Sequence, residues 1–385
     1  MTNNIGLIGV GKLGLPYALS FEKAGFTVYA SSYKQDYVED LQQHIVDTEE
    51  PDVKQLLEQS KNIIFTIDNH LVIENCDVIY IMVATPSLPN GEYDVDAVHQ
   101  VARDFLSFPG DVSGKKMIIG STVNPGDTKD IQDLLEGTGV NVVYSPTFVA
   151  QGRVIHDIYN LPGLLIGTPD KKIAKECLDI FKTITSPKTP ISIVNQTTAE
   201  ILKLALNCYT TVKISYFNKI GEMLGTLGLD EDIPLADWAL QNLDNSLATV
   251  HFGFGYGGPC LPRDNVSFMR FAEKIGVDYS IGEVIDHYND QHNNFLFNWF
   301  IKKNTENKPF YFSHITYKKG THITEQSRQF ELCCKLLDAG YQVYIEQDKF
   351  LPPEFIKKLN NVYPNSYKLV EKDKSHDLDF FEIIF

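Results

Sequence analysis

The chain lacks any long hydrophobic run. None of its 385 residues lies in a stretch that approaches the roughly 20 consecutive apolar residues of a membrane-spanning helix. The N-terminus has no basic segment ahead of its first apolar run, so we expect no signal peptide there. These two features argue against a membrane protein and against a secreted one.

Positive charge is scarce. Lysine and arginine number 34 against 50 aspartates and glutamates, which leaves a formal net charge of −16. Because proteins that bind DNA, RNA or anionic membrane surfaces neutralise phosphates with many cations, this acidity argues against those partners. With 43% hydrophobic and 22% charged residues the composition is that of a globular protein, and the length predicts two or three domains.

Cysteine is sparse and scattered. The six cysteines form no CxxC pair and no metal-ligand spacing, so we predict no metal site. Scattered thiols are typical of a reducing compartment, and the cytoplasm is the expected location.

Short apolar runs alternate with amphipathic helical patterns in the first half of the chain. The predicted strands cover residues 5–10, 27–30, 63–67, 78–83, 117–120, 142–144 and 164–167. This alternation predicts a mostly parallel sheet with helices on both faces, in a domain that spans residues 1–195.

The second half has a different pattern. A helical pattern without proline over residues 198–227 opens a predicted central domain, residues 196–304, and a helix of that length often lies between domains or along a dimer interface. Strands at 310–315, 341–346 and 380–385, with a helix at 326–339, predict a small βαβ domain over residues 305–385.

Three glycines begin at the end of the first predicted strand, in the sequence Gly9-Val10-Gly11-Lys12-Leu13-Gly14. A GxGxxG sequence between a strand and a helix is the fingerprint of dinucleotide binding. Gly9 permits the tight turn, Gly11 lets the backbone approach a pyrophosphate, and Gly14 allows close packing of helix on strand. Lys12 and Leu13 lie in the same turn, at the positive end of the helix dipole. The alternative is a glycine turn that binds no ligand.

The end of the second predicted strand contains no acidic residue. Folds that bind NAD commonly place Asp or Glu there to accept hydrogen bonds from ribose hydroxyls, whereas this sequence is Ala30-Ser31-Ser32-Tyr33-Lys34. Ser31 would bond a ribose hydroxyl, and Lys34 would accommodate a 2′-phosphate. We therefore predict NAD as the cofactor and leave NADP open.

A segment rich in glycine and proline surrounds one cysteine. Residues 255–264 have the sequence GYGGPCLPRD, which predicts a rigid loop that presents the Cys260 thiol. Arg263 and a nearby helix start would favour the thiolate, which is the nucleophilic form. A lone cysteine is otherwise inert packing, which is our interpretation of the other five.

The long helical segment contains one lysine inside an apolar run, ILKLAL. Lys203 and Asn207 are four residues apart, so they share a helix face. The lysine either extends its ammonium to solvent past apolar neighbours or serves a site, and the helix alone does not decide between the two.

Together, the glycine turn, the Cys260 loop and the Lys203 helix make the chain similar to the UDP-glucose/GDP-mannose dehydrogenase family, most strongly over residues 1–290. Residues 83–86 (VATP) resemble its V-P-T-P cofactor loop, residues 121–123 (STV) its S-T-V-P segment, and residues 144–148 (YSPTF) lie where the family has Pro-Glu-Phe. The resemblance implies an α/β fold with two Rossmann-like domains, the first binding NAD(P) and the small C-terminal one a nucleotide sugar, joined by a long central helix. It also implies a homodimer formed through residues 198–227.

The chemistry that the resemblance implies is a double oxidation, in which a sugar C6 alcohol becomes a carboxylate and two NAD are reduced. Cys260 would add to the intermediate aldehyde, and the thiohemiacetal would be oxidised to a thioester that water releases. Lys203 and Asn207 would stabilise the oxyanion. Asp264 would transfer a proton or orient the water together with Thr122.

The resemblance also implies binding residues. The cofactor would contact Gly9, Gly11, Lys12, Leu13, Gly14, Ser31, Lys34, Val83, Thr85, Pro86 and Thr122. The nucleotide sugar, a UDP-sugar with UDP-glucose as the default, would contact Phe148, Lys203, Asn207, Tyr256, Gly257 and Lys318. A UDP-N-acetylhexosamine and a GDP-sugar stay open.

Two positions and one segment depart from the family pattern. Thr147 replaces the glutamate often assigned to base catalysis of thioester hydrolysis, and a threonine cannot act as that base. Glu325 replaces an arginine of the C-terminal domain and should repel a phosphate, and residues 242–246 (NLDNS) replace an R-I-G motif. These departures leave three alternatives: an enzyme with altered hydrolysis, a single-oxidation dehydrogenase of the β-hydroxyacid type, and a homologue that only binds a nucleotide or nucleotide sugar.

Overall fold

Residues 3–243, 251–372 and 378–384 are described by the structure, which is a computed structural model. They form two compact units, Met1–Leu204 and Ala205–Phe385. Helix α9, Gln196–Leu227, contains the division between them and begins two residues after the last strand of the first unit.

The first unit contains an eight-stranded sheet in the order β3-β2-β1-β4-β5-β6-β7-β8. Neighbouring strands pair in parallel except β6 and β7, which are antiparallel. Successive connections run outward from β1 on one side and from β4 on the other, so the topological switch point lies between β1 and β4. The strands are β1 Asn4–Ile8, β2 Thr27–Ser31, β3 Ile63–Thr66, β4 Val78–Ile81, β5 Lys116–Ile119, β6 Asn141–Tyr144, β7 Leu164–Gly167 and β8 Ile191–Val194.

Helices cover both faces of this sheet. Side chains alternate between two apolar cores, so that Tyr80 of β4 packs in one core and Ile79 and Ile81 pack in the other. This is the arrangement that the run of buried strand residues predicts. The helices are α1 Gly14–Lys23, α2 Gln35–Gln42, α3 Val53–Gln59, α4 Asn69–Asn75, α5 Asp96–Ser107, α6 Asp127–Leu134, α7 Val154–Tyr159 and α8 Lys171–Phe181.

The second unit combines helices with a small parallel sheet in the order β11-β10-β9-β12. A third apolar core lies in this unit, between helix α12 and the small sheet. Leu296 and Phe300 of α12 pack there among residues such as Phe310 and Leu336. The elements are a 3₁₀ turn at Asp230–Asp232, α10 Ile233–Leu243, α11 Leu261–Lys274, α12 Ser280–Lys303, β9 Phe310–Phe312, α13 Arg328–Asp338, β10 Val343–Gln347, α14 Pro353–Val362, β11 Tyr367–Glu371 and β12 Phe381–Glu382.

The predicted fold class is confirmed: a large, mostly parallel sheet, a small parallel sheet and a long central helix are present. Individual bounds differ. The first strand ends at Ile8 rather than at residue 10, because Gly9 has a φ of +101° and leaves the extended conformation. In the second unit, helix α14 and strand β11 were not predicted, and the predicted strand 380–385 is only Phe381–Glu382. Among the described residues, no helix is both long enough and apolar enough to cross a bilayer.

Candidate active site

The glycine turn after β1 lies at the switch point of the first sheet. The Gly9 N–H donates to the Ser31 carbonyl at 2.9 Å, and a Cβ on Gly9 would lie 2.6 Å from the Met82 carbonyl oxygen. A Cβ on Gly14 would lie 2.0 Å from the Gly9 oxygen. Both positions therefore require glycine for backbone packing, as the motif predicts.

Gly11 is different, because a Cβ there would meet no protein atom within 4 Å. Gly11 and Lys12 are exposed, and Leu13 precedes the first residue of α1. Open space beside the N-terminus of a helix is what a dinucleotide pyrophosphate needs, since the first N–H groups of the helix point outward. The residues present thus fit the phosphate part of NAD.

The loops after β4 and β5 lie side by side. The Ser121 hydroxyl donates to the Val83 carbonyl at 2.6 Å, which joins the two predicted cofactor segments. Thr85 is buried and Thr122 is half-buried. Pro86 is exposed at the base of a tight loop in which its carbonyl accepts from Asp94 N–H at 2.7 Å. Because both strands end at the same edge of the sheet, these residues share the edge of the glycine turn.

The predicted ribose contact has protein partners. Ser31 is buried, and its hydroxyl donates to Asn69 Oδ1 at 2.6 Å. Asn69 in turn donates to Asp104 at 2.7 Å. Lys34 is exposed, with Nζ 5.6 Å from the centre of the Tyr33 ring. The roles of Ser31 and Lys34 toward a cofactor stay predictions.

Lys203 is held within the first unit. Its Nζ donates to the Thr147 carbonyl at 3.0 Å and lies 5.1 Å from the centre of the Phe148 ring. The Thr147 hydroxyl pairs with the Tyr17 hydroxyl at 2.7 Å. Burial raises the pKa of Tyr17 to about 12. The structure thus brings together three predicted positions and adds Tyr17, which sequence reasoning missed.

Cys260 occupies the N-cap position of α11 in the second unit. Its side chain is exposed, and its carbonyl accepts from Asp264 N–H at 2.8 Å in the first turn of the helix. A thiolate at this position is stabilised by the positive end of the helix dipole. By contrast, burial raises the pKa of Cys76, Cys177 and Cys208 to about 12, which keeps these thiols protonated.

The loop that leads to Cys260 is closely packed. A Cβ on Gly257 would lie 2.1 Å from the Gln326 carbonyl oxygen. Gly258 has a φ of +78°, and a Cβ there would lie 2.6 Å from the Tyr317 ring. Tyr256 is buried and its hydroxyl donates to Asp286. In the structure this predicted substrate residue therefore anchors the loop to α12. These contacts explain why the segment needs its glycines.

Tyr317 is a further residue that sequence reasoning did not assign to this site. Its ring lies against Gly258, two residues before Cys260, where a Cβ would approach the ring to 2.6 Å, and burial raises the pKa of Tyr317. No local sequence signal identifies Tyr317, because 57 positions separate it from Cys260.

Asn207 and Asp264 lie together. The Asn207 amide donates to Asp264 Oδ2, and the Asp264 carboxylate is buried. Cys208, the next residue of α9, contacts the Asp264 carbonyl at 3.7 Å through its thiol. Helix α9 therefore supports the first turn of α11, directly after Cys260.

The C-terminal substrate residues lie in a turn that precedes α13. The Lys318 side chain is exposed, and its carbonyl accepts from the Thr316 hydroxyl at 3.1 Å and the Thr321 hydroxyl at 2.8 Å. Glu325 is exposed as well. Of the segment that replaces the R-I-G motif, residues 244–246 lie outside the described residues. Among the residues that are described, no group of His, Cys, Asp and Glu side chains could hold a metal ion.

The glycine turn at a switch point and the doubly covered sheet define a dinucleotide-binding fold. Residues 3–185 match the NAD binding domain of the UDP-glucose/GDP-mannose dehydrogenase family, and residues 197–291 match the central domain of that family. The chain belongs to this family. The predicted family is confirmed, and with it the prediction of NAD as the cofactor of the first domain.

The sequence identity between this chain and individual relatives is low. The chain is 28% identical to the UDP-glucose 6-dehydrogenase TuaD of Bacillus subtilis over 299 residues, which are 74% of this chain and 63% of TuaD. It is 25% identical to the GDP-mannose 6-dehydrogenase of Pseudomonas aeruginosa over 89% of this chain and 80% of that protein. The fold is similar to that of a UDP-glucose dehydrogenase from Pyrobaculum islandicum, with a TM-score of 0.80, 24% identity and coverage of 97% and 87%.

Proposed function

We propose that this protein is a nucleotide-sugar 6-dehydrogenase that oxidises a sugar C6 alcohol to a carboxylate through a covalent intermediate on Cys260. The observation that carries the proposal is the position of this thiol. It is exposed at the N-cap of α11, whereas the other five cysteines are buried or half-buried. UDP-glucose is the first substrate to test, since TuaD is named for it, and GDP-mannose and UDP-N-acetylhexosamines are the alternatives.

Cys260 gives the chain the nucleophile that the second oxidation requires. When bound, NAD supplies the hydride acceptor for each oxidation. Addition of the thiolate to the C6 aldehyde forms a C–S bond and a thiohemiacetal, which still bears a C–H bond on C6. Loss of that hydride leaves a thioester, and water then breaks the C–S bond to release the acid and the thiol.

Lys203 and the Asn207–Asp264 pair supply the charge and the hydrogen bonds that stabilise the oxyanion. The Lys203 ammonium is oriented by the Thr147 carbonyl at 3.0 Å, so little side-chain freedom is lost when it stabilises an oxyanion. Asn207 is one turn further along α9 and is fixed by Asp264. We assign Asp264 and Thr122 to proton transfer and water orientation, and Lys318 to the nucleotide.

The deciding experiment is a panel of nucleotide sugars against NAD and NADP, followed by the absorbance of reduced cofactor and by the amount of sugar consumed. We expect two reduced cofactors per sugar with at least one UDP- or GDP-sugar. One reduced cofactor per sugar would identify a single-oxidation enzyme instead. Calorimetric binding without reduction of either cofactor for any sugar would identify a binding protein.

We also propose a homodimer formed along α9. Exposed apolar side chains recur on this helix at spacings of three, four and seven residues, which places them on one face. They are Leu206, Tyr209, Tyr216, Met223 and Leu227. Met223 is 60% exposed and Leu227 is 73% exposed in the single chain, and a second copy of the chain would cover this stripe. A cytoplasmic location stays the expectation from the six scattered cysteines.

A further inference from the structure

The loop before Cys260 is fixed through one main-chain oxygen. The Tyr256 carbonyl accepts two hydrogen bonds, from Arg328 Nε at 3.1 Å and from the Asn289 amide at 2.9 Å. Two residues later, the Gly258 N–H donates to the Glu325 carbonyl at 3.0 Å. The loop is therefore bonded on both sides of Gly257 to elements that are distant in sequence.

Arg328 connects three elements at this point. Its Nη1 lies 2.8 Å from Asp290 of α12 and 3.0 Å from Glu331 of α13, while Nε reaches the loop. The Arg328 side chain is only 11% exposed. A guanidinium is planar and its donors are fixed relative to one another, so two carboxylates that hold Nη1 also fix the direction of Nε.

The hydrogen bond between Arg328 and the Tyr256 carbonyl lies close enough in sequence to Cys260 to affect the ionisation of the thiol. Tyr256 precedes Cys260 by four residues, and Cys260 is the N-cap of α11. A thiolate gains from the helix dipole only within the first turn, because the effect falls off over that distance. If the loop is not held at Tyr256, the Cys260 backbone is free to leave its N-cap conformation. The thiol would then move away from the first turn, and the fraction of Cys260 present as thiolate at neutral pH would fall.

We propose that Arg328 is a positioning residue, which holds the Tyr256 carbonyl and thereby keeps Cys260 at the N-cap of α11. This inference rests on the proposed role of Cys260 as the nucleophile. Arg328 acts through the main chain of the loop. A lysine cannot replace it, since one ammonium at the end of a flexible stem cannot hold two carboxylates and the Tyr256 carbonyl in the same geometry.

The test is the rate at which iodoacetamide alkylates Cys260 in the full-length protein, measured from pH 6 to pH 10 by peptide mass mapping, in the Arg328→Lys variant. We expect alkylation at neutral pH about fivefold slower than in the native protein, converging with it at high pH where every thiol is ionised. The pH midpoint of the rate would move upward. In turnover, kcat would fall about tenfold while the affinity for NAD stays unchanged.

Two further variants keep the test informative if Arg328→Lys is unstable. Asp290→Asn removes one of the carboxylates that orient Arg328 at an exposed position, and we expect a smaller shift of the midpoint in the same direction. Glu273→Gln is the matched control, because Glu273 pairs with Arg270 at 2.9 Å on the exposed face of α11 without a bond to the loop. Its alkylation profile should superimpose on that of the native protein.

An alkylation profile of Arg328→Lys that superimposes on the native one would overturn the inference. Faster alkylation at every pH, with labelling of the buried cysteines, would overturn it too, since Arg328 would then only stabilise the fold. This assay needs neither sugar nor cofactor. A native protein that reduces no cofactor with any sugar refutes the proposed function, whereas a normal profile in the variant of an active enzyme refutes the role of Arg328 alone.

Discussion

Thr147 presents its side chain and its main chain to different partners. The hydroxyl pairs with the buried Tyr17, and the carbonyl accepts from Lys203. Because the pKa of Tyr17 is raised to about 12, this phenol stays neutral at physiological pH and cannot turn Thr147 into an alkoxide. The site therefore orients Lys203 well but offers no carboxylate at this position for activating water.

From this we expect hydrolysis of the thioester to limit turnover. During steady-state oxidation of a sugar that the panel identifies, intact-mass spectrometry should detect a sugar acyl adduct on Cys260. The Cys260→Ser variant is the control and should show none. Absence of the adduct from the native protein during turnover would mean that another base hydrolyses the thioester or that the chemistry stops at the aldehyde.

Gly11 allows cofactor binding to be separated from folding. Since a Cβ at Gly11 meets no protein atom within 4 Å, Gly11→Ala should change the free energy of unfolding by less than about 0.5 kcal/mol. The same methyl group would occupy space beside the pyrophosphate, so the affinity for NAD should fall by at least about tenfold. Calorimetry with NAD and denaturant unfolding measure the two effects.

The control for Gly11→Ala is Gly163→Ala. A Cβ on Gly163 would lie 3.6 Å from the Pro190 oxygen, which is an ordinary contact, and Gly163 precedes β7, distant in sequence from the glycine turn. This variant should keep both stability and NAD affinity. Equal NAD affinity in the native protein and Gly11→Ala would contradict the placement of the pyrophosphate.

Helix α9 contributes one acidic side chain to each unit, the buried Glu200 and the half-buried Glu222. In the first unit, Glu200 accepts from the Gly126 and Thr128 N–H groups at 2.6 and 2.8 Å and so caps α6. In the second unit, Glu222 lies 2.7 Å from His292 Nδ1, whose other nitrogen lies 2.6 Å from the Gly253 carbonyl. The helix thereby fixes the start of the segment that leads to Cys260.

Glu222 makes stability depend on pH. Burial opposes its ionisation, but hydrogen bonds from His292 and Lys219 outweigh burial and hold the pKa of this carboxyl below its usual value. A lowered pKa in the folded state means that Glu222 stabilises the protein above the unfolded-state pKa and that this contribution is lost as pH falls through the folded-state pKa. Glu222→Gln should therefore cost about 1–3 kcal/mol at pH 7.

The measurement is thermal unfolding of the native protein and Glu222→Gln from pH 7 down to about pH 2, a range that includes the lowered folded-state pKa of Glu222. The difference in Tm should shrink as the pH falls below about 4.5, near the unfolded-state pKa of glutamate. Glu74→Gln, at an exposed position of α4, serves as control and should follow the native profile. A difference in Tm that stays constant over this range would show that the loss is not due to the charge of Glu222.

Sequence patterns predicted those elements whose signal is local. The glycine turn and α9 each depend on residues adjacent in the chain, and their bounds differ from the prediction by only two residues. Strand β11 was missed because Val370 is the one buried residue among its five, which leaves no apolar pattern to detect. The Tyr17–Thr147 and Arg328–Tyr256 contacts join residues 130 and 72 positions apart, so only the folded chain reveals them.

At the scale of the whole molecule, the exposed stripe on α9 predicts the oligomeric state. Met223→Asp places a charge in the middle of the proposed dimer interface, where no partner neutralises it, and should shift the protein from dimer to monomer. Sedimentation equilibrium measures this shift. Leu134→Asp, which changes an exposed leucine of α6 in the same way, should stay dimeric. A native protein that sediments as a monomer would rule out the interface.

The central claim is that Cys260 forms the covalent bond that makes the second oxidation possible. The most direct measurement is the amount of sugar acid produced by Cys260→Ser, with NAD binding measured on the same sample. We expect no acid and unchanged NAD affinity, because the serine hydroxyl is a far weaker nucleophile than a thiolate at the start of a helix. Acid production at the native rate by this variant would contradict the thioester route.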